Sequence, residues 1–266
     1  MFPKYPQAVF IQTVSGCTSD CVICPEKKTF ARFGKQKMSK ELYEKILNDL
    51  TIDYPGQVGL YLHFEPLLDE RVFDFLRLAK KKCPKSSVEI SSNASLLDKE
   101  NAHKLSESGI DLVHFNVNGA TKKTYEKQMR GLNFENMLKN INYFRKVYDK
   151  PIKINFVLSN DNLHEKDMVA DIFPGCEIVN DFWAVNRAGN VEINKSEANN
   201  TRFRDEKNSC NQLEMNLPIL ATGEAILCCN DWMRTAIVGD VNKENVLDVW
   251  QSSKRHYGYD ICDKCF

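Results

Sequence analysis

The chain has 266 residues, 42% of them hydrophobic, and its 36 Lys plus Arg balance 36 Asp plus Glu. That length and apolar fraction suit one large domain with an appendage. Zero net charge excludes the broad basic surface of a general nucleic-acid binder, and no apolar run approaches the ~18 residues of a membrane span. The N-terminal MFPKYPQAVFIQTV has neither the apolar core nor the cleavage site of a secretory signal. The expectation is a cytoplasmic protein with no membrane or nucleic-acid partner.

Strand and helix signals alternate up to about residue 190. Ala8–Val14 reads as the first strand and runs into Cys17-Thr18-Ser19-Asp20-Cys21-Val22-Ile23-Cys24. Ser39 opens a helix with Leu42, Ile46, Leu47 and Leu50 on one face. Val58–Leu62 is the second strand, ending at His63-Phe64-Glu65-Pro66, and Val72, Phe73, Leu76 and Ala79 mark the next helix. Val88–Ser91 is the third strand, before a helix near Asn101–Ser108. Val113, Phe115 and Val117 alternate in a fourth, followed by a helix through Phe134, Met137, Ile141, Phe144 and Tyr148. Ile152, Ile154, Phe156 and Leu158 alternate in a fifth; a helix around His164–Ile172 leads to a sixth at Ile178–Val185. Six β-α units imply parallel strands with right-handed crossovers. A closed eight-strand barrel takes about 250 residues, so the expected fold is α/β, an open partial (β/α)6 barrel with its site at the C-terminal strand ends. Glu192–Asn208 is polar and reads as a linker. Asn216–Leu220 and Glu224–Leu227 then flank Ala221-Thr222-Gly223 as a hairpin, and Val246, Val249 and Trp250 suggest a short helix.

Ten cysteines in a chain without a secretory signal point to metal or redox chemistry. Cys17, Cys21 and Cys24 are spaced C-x3-C-x2-C. Three thiolates hold three corners of a cubic 4Fe–4S cluster and leave one iron open, whereas a structural zinc wants four tetrahedral ligands. Cys210, Cys228, Cys262 and Cys265 form a second set, which by spacing alone suits a complete cluster or zinc equally. Cys83 and Cys176 stand alone and read as small buried apolar residues. His63 and His114 read as packing or hydrogen-bonding side chains.

The three-cysteine loop after a first strand resembles that of the radical S-adenosylmethionine (radical SAM) enzymes. The resemblance implies that the open iron chelates SAM, and that one electron then releases a 5′-deoxyadenosyl radical. It extends to the C-terminus, where Cys210, the hairpin with Gly223, Cys228, Gly239-Asp240-Val241, Trp250 and Cys262/Cys265 are similar to a twitch domain, a cut-down SPASM domain. This tips the second cysteine set to iron–sulfur. The implied cofactors are two 4Fe–4S clusters and SAM, with a barrel over residues 1–200 and a twitch domain over 201–266. Glu65 stands where the family contacts the SAM amino group, and Ser92-Asn93 where it surrounds the ribose. Asn186-Arg187-Ala188-Gly189 resembles an Asn-Arg-x-Gly element whose arginine reaches SAM or substrate. Arg130 is a further candidate for cofactor binding. Ile23 replaces the family's aromatic before the third cysteine, and Phe64 replaces a glycine before Glu65.

One auxiliary cluster beside a compact barrel resembles the family members that oxidise a secondary alcohol of an aminocyclitol. The expected reaction is therefore oxidation of a carbinol carbon in a polar small molecule, an aminocyclitol or sugar, with the auxiliary cluster as electron acceptor. A reductant such as flavodoxin or ferredoxin is an implied partner. Cys229, next to Cys228, raises the rival reading of an epimerase that uses its thiol as hydrogen donor. A peptide-modifying role comes third, because the chain begins almost at the first strand with no room for a leader-peptide domain. A plain iron–sulfur electron carrier is the non-enzymatic alternative.

Overall fold

A computed structural model of the chain describes residues 3–193 and 210–265. The expected linker and the boundary between 200 and 201 fall largely or wholly outside the described residues.

The elements follow in chain order. Strand β1 (Ala8–Ile11) leads through the cysteine loop, whose Asp20–Cys21 forms a two-residue strand, β2, into helix α1 (Glu26–Phe33). Helix α2 (Lys40–Leu50), β3 (Gln57–Leu60), α3 (Val72–Lys82), β4 (Ser87–Ser92), α4 (Lys99–Ser106) and β5 (Leu112–Asn116) come next. Helix α5 (Lys122–Gln128), the short β6 (Met129–Arg130), α6 (Phe134–Val147), β7 (Ile152–Asn155), α7 (Met168–Ile172) and β8 (Glu177–Val179) complete the alternating part. The C-terminal part holds α8 (Asn211–Met215), β9 (Asn216–Ile219), β10 (Glu224–Ile226), β11 (Ile237–Asp240), α9 (Val246–Trp250) and α10 (Asp260–Lys264).

Six strands pair in parallel in the order β1-β3-β4-β5-β7-β8, the order of an unrolled barrel. Parallel strands need both faces covered, and the sequence supplies the cover. In α2, the Ser39 hydroxyl accepts from Leu42 N at 3.0 Å, and Tyr43, Ile46, Leu47 and Leu50 form a fully buried stripe. Tyr43 takes the place expected for Leu42, which stays partly exposed and packs at the core's margin. In α6, Met137, Ile141 and Phe144 face the sheet, and Phe144 stacks on Tyr148 with ring centroids 4.7 Å apart.

The fifth and sixth strands are shorter than the sequence suggests. β7 stops at Asn155, with only an isolated bridge further on between Leu158 and Trp183. Helices α1 and α5 carry weak apolar patterns and are not evident from the sequence. The α1 sequence EKKTFARF buries only Glu26 and Thr29.

The C-terminal hairpin does not stand apart from the barrel. β9 pairs in parallel with β1, from Ala8 opposite Asn216 to Ile11 opposite Ile219. β10 then pairs antiparallel with both β9 and β11, so one nine-stranded sheet runs from β11 to β8. The turn between β9 and β10 uses Gly223 at φ +90°, a left-handed conformation that glycine adopts without strain. Among the described residues, no helix is long and apolar enough to cross a membrane.

Candidate active site

The cysteine loop leaves the C-terminal end of β1 and is pinned from several sides. Glu65 N donates to Gly16 O at 3.0 Å, and Val22 N to Gln128 O at 2.9 Å. β2 pairs with β6, Asp20 opposite Arg130. At the loop's centre the Ser19 hydroxyl lies 3.3 Å from Cys17 Sγ and 3.2 Å from Cys21 Sγ. Asn93 Nδ2 donates to Thr18 Oγ1 at 2.9 Å and reaches Cys17 Sγ at 3.6 Å. Burial pushes the Cys21 thiol up to about 11 and the Cys24 thiol up to about 12. These are thiols starved of water, which bind metal only by giving up their protons.

All three cysteines line one cavity at the C-terminal ends of the strands, together with Glu65, Asn93 and Arg187. Glu65 is 2% exposed. It follows β3 and caps a short 3-10 turn at Pro66–Leu68. Its Oε1 accepts from the Ser92 hydroxyl at 2.7 Å and from Leu67 N at 3.2 Å, and its Oε2 from Asn93 N at 2.9 Å. Burial raises its carboxyl above the usual carboxylate range, and these three donors pull it back. Ser92 therefore spends its hydroxyl on Glu65, and Ser91 is the serine in the cavity wall.

Arg187 sits in an unusual backbone segment. Arg187, Ala188 and Gly189 take φ of 48°, 54° and 81°, a left-handed run that costs non-glycine residues about 1–2 kcal/mol each. Such strain persists where the surroundings enforce it, and here Asn186 Nδ2 donates to Lys264 O at 2.6 Å. Arg187 Nη1 donates to Asn230 Oδ1 at 3.0 Å. Arg130 lies outside the cavity wall. It is exposed, donates from Nε to Asp20 O at 2.9 Å and pairs with the Asp20 carboxylate at 3.2 Å.

Trp232 is a site residue that the sequence reading overlooked. It lines the cavity and stacks on His63 with centroids 3.8 Å apart and an 18° tilt. His63 Nε2 lies 2.8 Å from Cys229 O, and burial above all lowers its imidazole to about 3. Among the described residues, Arg187 Nε and Trp232 Nε1 are buried without a hydrogen-bond partner. Two orphan donors in one cavity wall suit a ligand rich in acceptors. Asn116 and Asn118, at the end of β5, also face this cavity. A signal for them was present, since polar Asn recurs at the ends of β4, β5 and β7.

In the second cysteine set, Cys210, Cys228 and Cys265 lie close enough to act on one another's thiols, and Cys265 lies near Arg187. Cys210 caps α8, Cys228 and Cys229 follow β10, and Cys265 N donates to Cys262 O at 3.4 Å. Burial raises the Cys228 thiol, and the neighbouring Cys229 and Cys265 raise it further. Cys265 is raised by burial and by Cys210. Among the described residues, no three Cys, His, Asp or Glu converge tightly enough for a single metal ion. A cubane asks less convergence, because each thiolate takes its own iron. Cys229 is not part of the cavity wall; its thiol donates to Gln212 Oε1 at 3.4 Å, and burial pushes it up to about 11.

Comparison with known proteins agrees with this geometry. The radical SAM superfamily model matches residues 11–172. The chain belongs to the radical SAM superfamily. An iron-sulfur cluster-binding domain of the SPASM type matches residues 210–266. This radical SAM enzyme therefore binds a 4Fe–4S cluster and SAM in its core, and its C-terminal segment implies further iron–sulfur. The S-adenosyl-L-methionine-dependent 2-deoxy-scyllo-inosamine dehydrogenase of Niallia circulans is 22% identical over 246 residues, 92% of this chain and 82% of that protein. The structure of BtrN in complex with AdoMet and 2-DOIA covers all of this chain and 94% of its own, with a TM-score of 0.67 at 18% identity. Streptococcus suis SuiB bound to precursor peptide SuiA reaches a TM-score of 0.74 at 16% identity, covering 95% of this chain and 66% of that one. At such identities the solved structures show a shared fold.

Proposed function

We propose that this radical SAM enzyme oxidises a carbinol carbon of a polar small molecule, an aminocyclitol or sugar, to the carbonyl. Cys17, Cys21 and Cys24 would hold the SAM-binding cluster, and Cys210, Cys228, Cys262 and Cys265 one auxiliary cluster. Bound there, the first cluster and SAM supply a 5′-deoxyadenosyl radical, and the second cluster supplies an acceptor for one electron. Glu65, locked by Ser92, Asn93 and Leu67, presents a fixed acceptor for the SAM ammonium. Arg187 and Trp232 offer their orphan N–H groups to carboxylate or hydroxyl oxygens. Arg130 braces the cysteine loop through Asp20.

The observation that carries the reading is the adjacency of the two cysteine sets. Arg187, in the cavity wall, is bonded to Asn230, and Asn230 touches Cys265. A dehydrogenase needs an electron acceptor near its substrate; an epimerase needs a thiol there instead. The Cys229 thiol turns to Gln212 rather than lining the cavity, which favours the dehydrogenase. Its need for reduced thiols fits a cytoplasmic setting, with flavodoxin or ferredoxin as electron donor.

The test is anaerobic reconstitution with SAM, a reductant and a panel of aminocyclitols and sugars. The expected product is lighter than its substrate by two hydrogens and forms in step with 5′-deoxyadenosine, and Cys229→Ala retains this. An isomer of unchanged mass that takes up solvent deuterium at one carbon would establish the epimerase instead. A modified peptide would move the substrate class.

A further inference from the structure

Asn230 is 3% exposed and follows the Cys228-Cys229 pair directly. Its side chain has two partners. Oδ1 accepts from Arg187 Nη1 at 3.0 Å, and Nδ2 lies 3.4 Å from Cys265 Sγ. The orientation of the amide is not arbitrary. Arginine has donors only, so the amide oxygen must face Arg187 and the NH2 must face the sulfur. The backbone N–H of the same residue is directed at the Cys228 thiol. One buried residue thus aims two N–H groups at two sulfurs of the auxiliary set while its oxygen is held by a cation in the SAM cavity.

We infer that Asn230 is a positioning residue that sets the reduction potential of the auxiliary cluster through an N–H···S bond to Cys265, held in place by Arg187. This rests on the reading that Cys265 and Cys228 ligate that cluster. Hydrogen bonds to cluster sulfurs tune the potential, as outer partners tune metal sites generally. The positive end of an N–H dipole stabilises the more negative, reduced cluster more than the oxidised one. The bond therefore raises the potential and makes the cluster a better acceptor. The guanidinium polarises the amide further, which strengthens its N–H as a donor. An asparagine whose only task was to close the loop would need neither the sulfur nor the arginine.

The test uses the full chain with Cys17, Cys21 and Cys24 replaced by alanine, so that the signal belongs to the auxiliary cluster alone. Redox titration followed by electron paramagnetic resonance compares this protein with the same protein carrying Asn230→Leu, which keeps the volume and removes the donor. The expected result is a shift to lower potential, equivalent to about tenfold in the one-electron equilibrium, or 59 mV. Equal potentials with full iron content in both proteins would overturn the inference and leave the cluster assignment standing. Failure of the parent protein to bind iron would overturn both. A second measurement needs no substitution at Asn230. With 15N in the asparagine side chains, pulsed spectroscopy of the reduced cluster should detect a coupled amide nitrogen. Absence of that coupling would also overturn the inference.

Discussion

Lowering the pH from 7 to 5 should cost the folded chain about 2 kcal/mol through His63 alone. The ring is 3% exposed, stacked on Trp232 and directed at Cys229 O. Burial, with Arg187 and Arg234 adding repulsion, lowers it to about 3. An unfolded histidine titrates near 6.5. Between those values the unfolded chain binds a proton that the folded chain refuses. This stability is fully present above pH ~6.5 and drains away as the pH falls towards 3. From 6.5 to 5 is about 1.5 units at about 1.4 kcal/mol each. Urea midpoints at pH 7 and 5, for the wild type and for His63→Gln, isolate the effect, because every other titrating group is common to both. The variant should lose about 2 kcal/mol less than the wild type over that interval. Parallel losses in the two proteins would show that His63 is not held neutral, and the stacked, desolvated ring described above would be wrong.

Three further outcomes are expected. Glu65→Gln turns an NH2 donor towards N–H and O–H groups that need an acceptor, and should weaken SAM binding by about 5- to 150-fold, about 1–3 kcal/mol; equilibrium dialysis with cluster-loaded protein measures this, and unchanged affinity would remove Glu65 from the SAM site. Asp231→Ala strips a carboxylate that accepts from Thr235 N, Thr235 Oγ1 and Ala236 N at 2.9, 2.9 and 2.8 Å. It should cost about 1–3 kcal/mol and open residues 228–236 to limited proteolysis. Arg130→Ala, which breaks an exposed ion pair, should cost under about 1 kcal/mol and leave SAM affinity within about twofold, whereas a large loss of affinity would return Arg130 to the cofactor site.

The sequence was most legible where physics is local. Val113, Phe115 and Val117 alternate because one face of a strand is read two residues at a time, and all three are buried. Ser39 announces α2 because a hydroxyl satisfies an orphan N–H at a helix start. The three-cysteine loop is read from its spacing, and the structure brings its thiols to one cavity with Glu65, Asn93 and Arg187. Legibility ended where contacts are distant in sequence. Trp232 reaches the cavity lined by the three cysteines only because a loop after β10 folds back onto His63, 169 positions earlier in the chain. Asn230 carries no local signal, since its two partners lie at 187 and 265. Helix α1 carries little sequence signal because its apolar side chains do not enter the core: it buries only Glu26 and Thr29, and Phe30 is exposed.

The parallel pairing of β9 with β1 bears on how the molecule is made. β1 leaves the ribosome well before β9, its neighbour on the side away from β3, which lies roughly two hundred residues later. Until that strand emerges, the nascent chain carries a bare strand edge of apolar sequence, Ala8 to Ile11, the kind of edge that recruits other chains. The same delay applies to Trp232, the lid over His63. Completion of the sheet and of the cavity wall thus await the same late segment, so a chain interrupted before β9 would carry the three-cysteine loop on a barrel still open along its first strand.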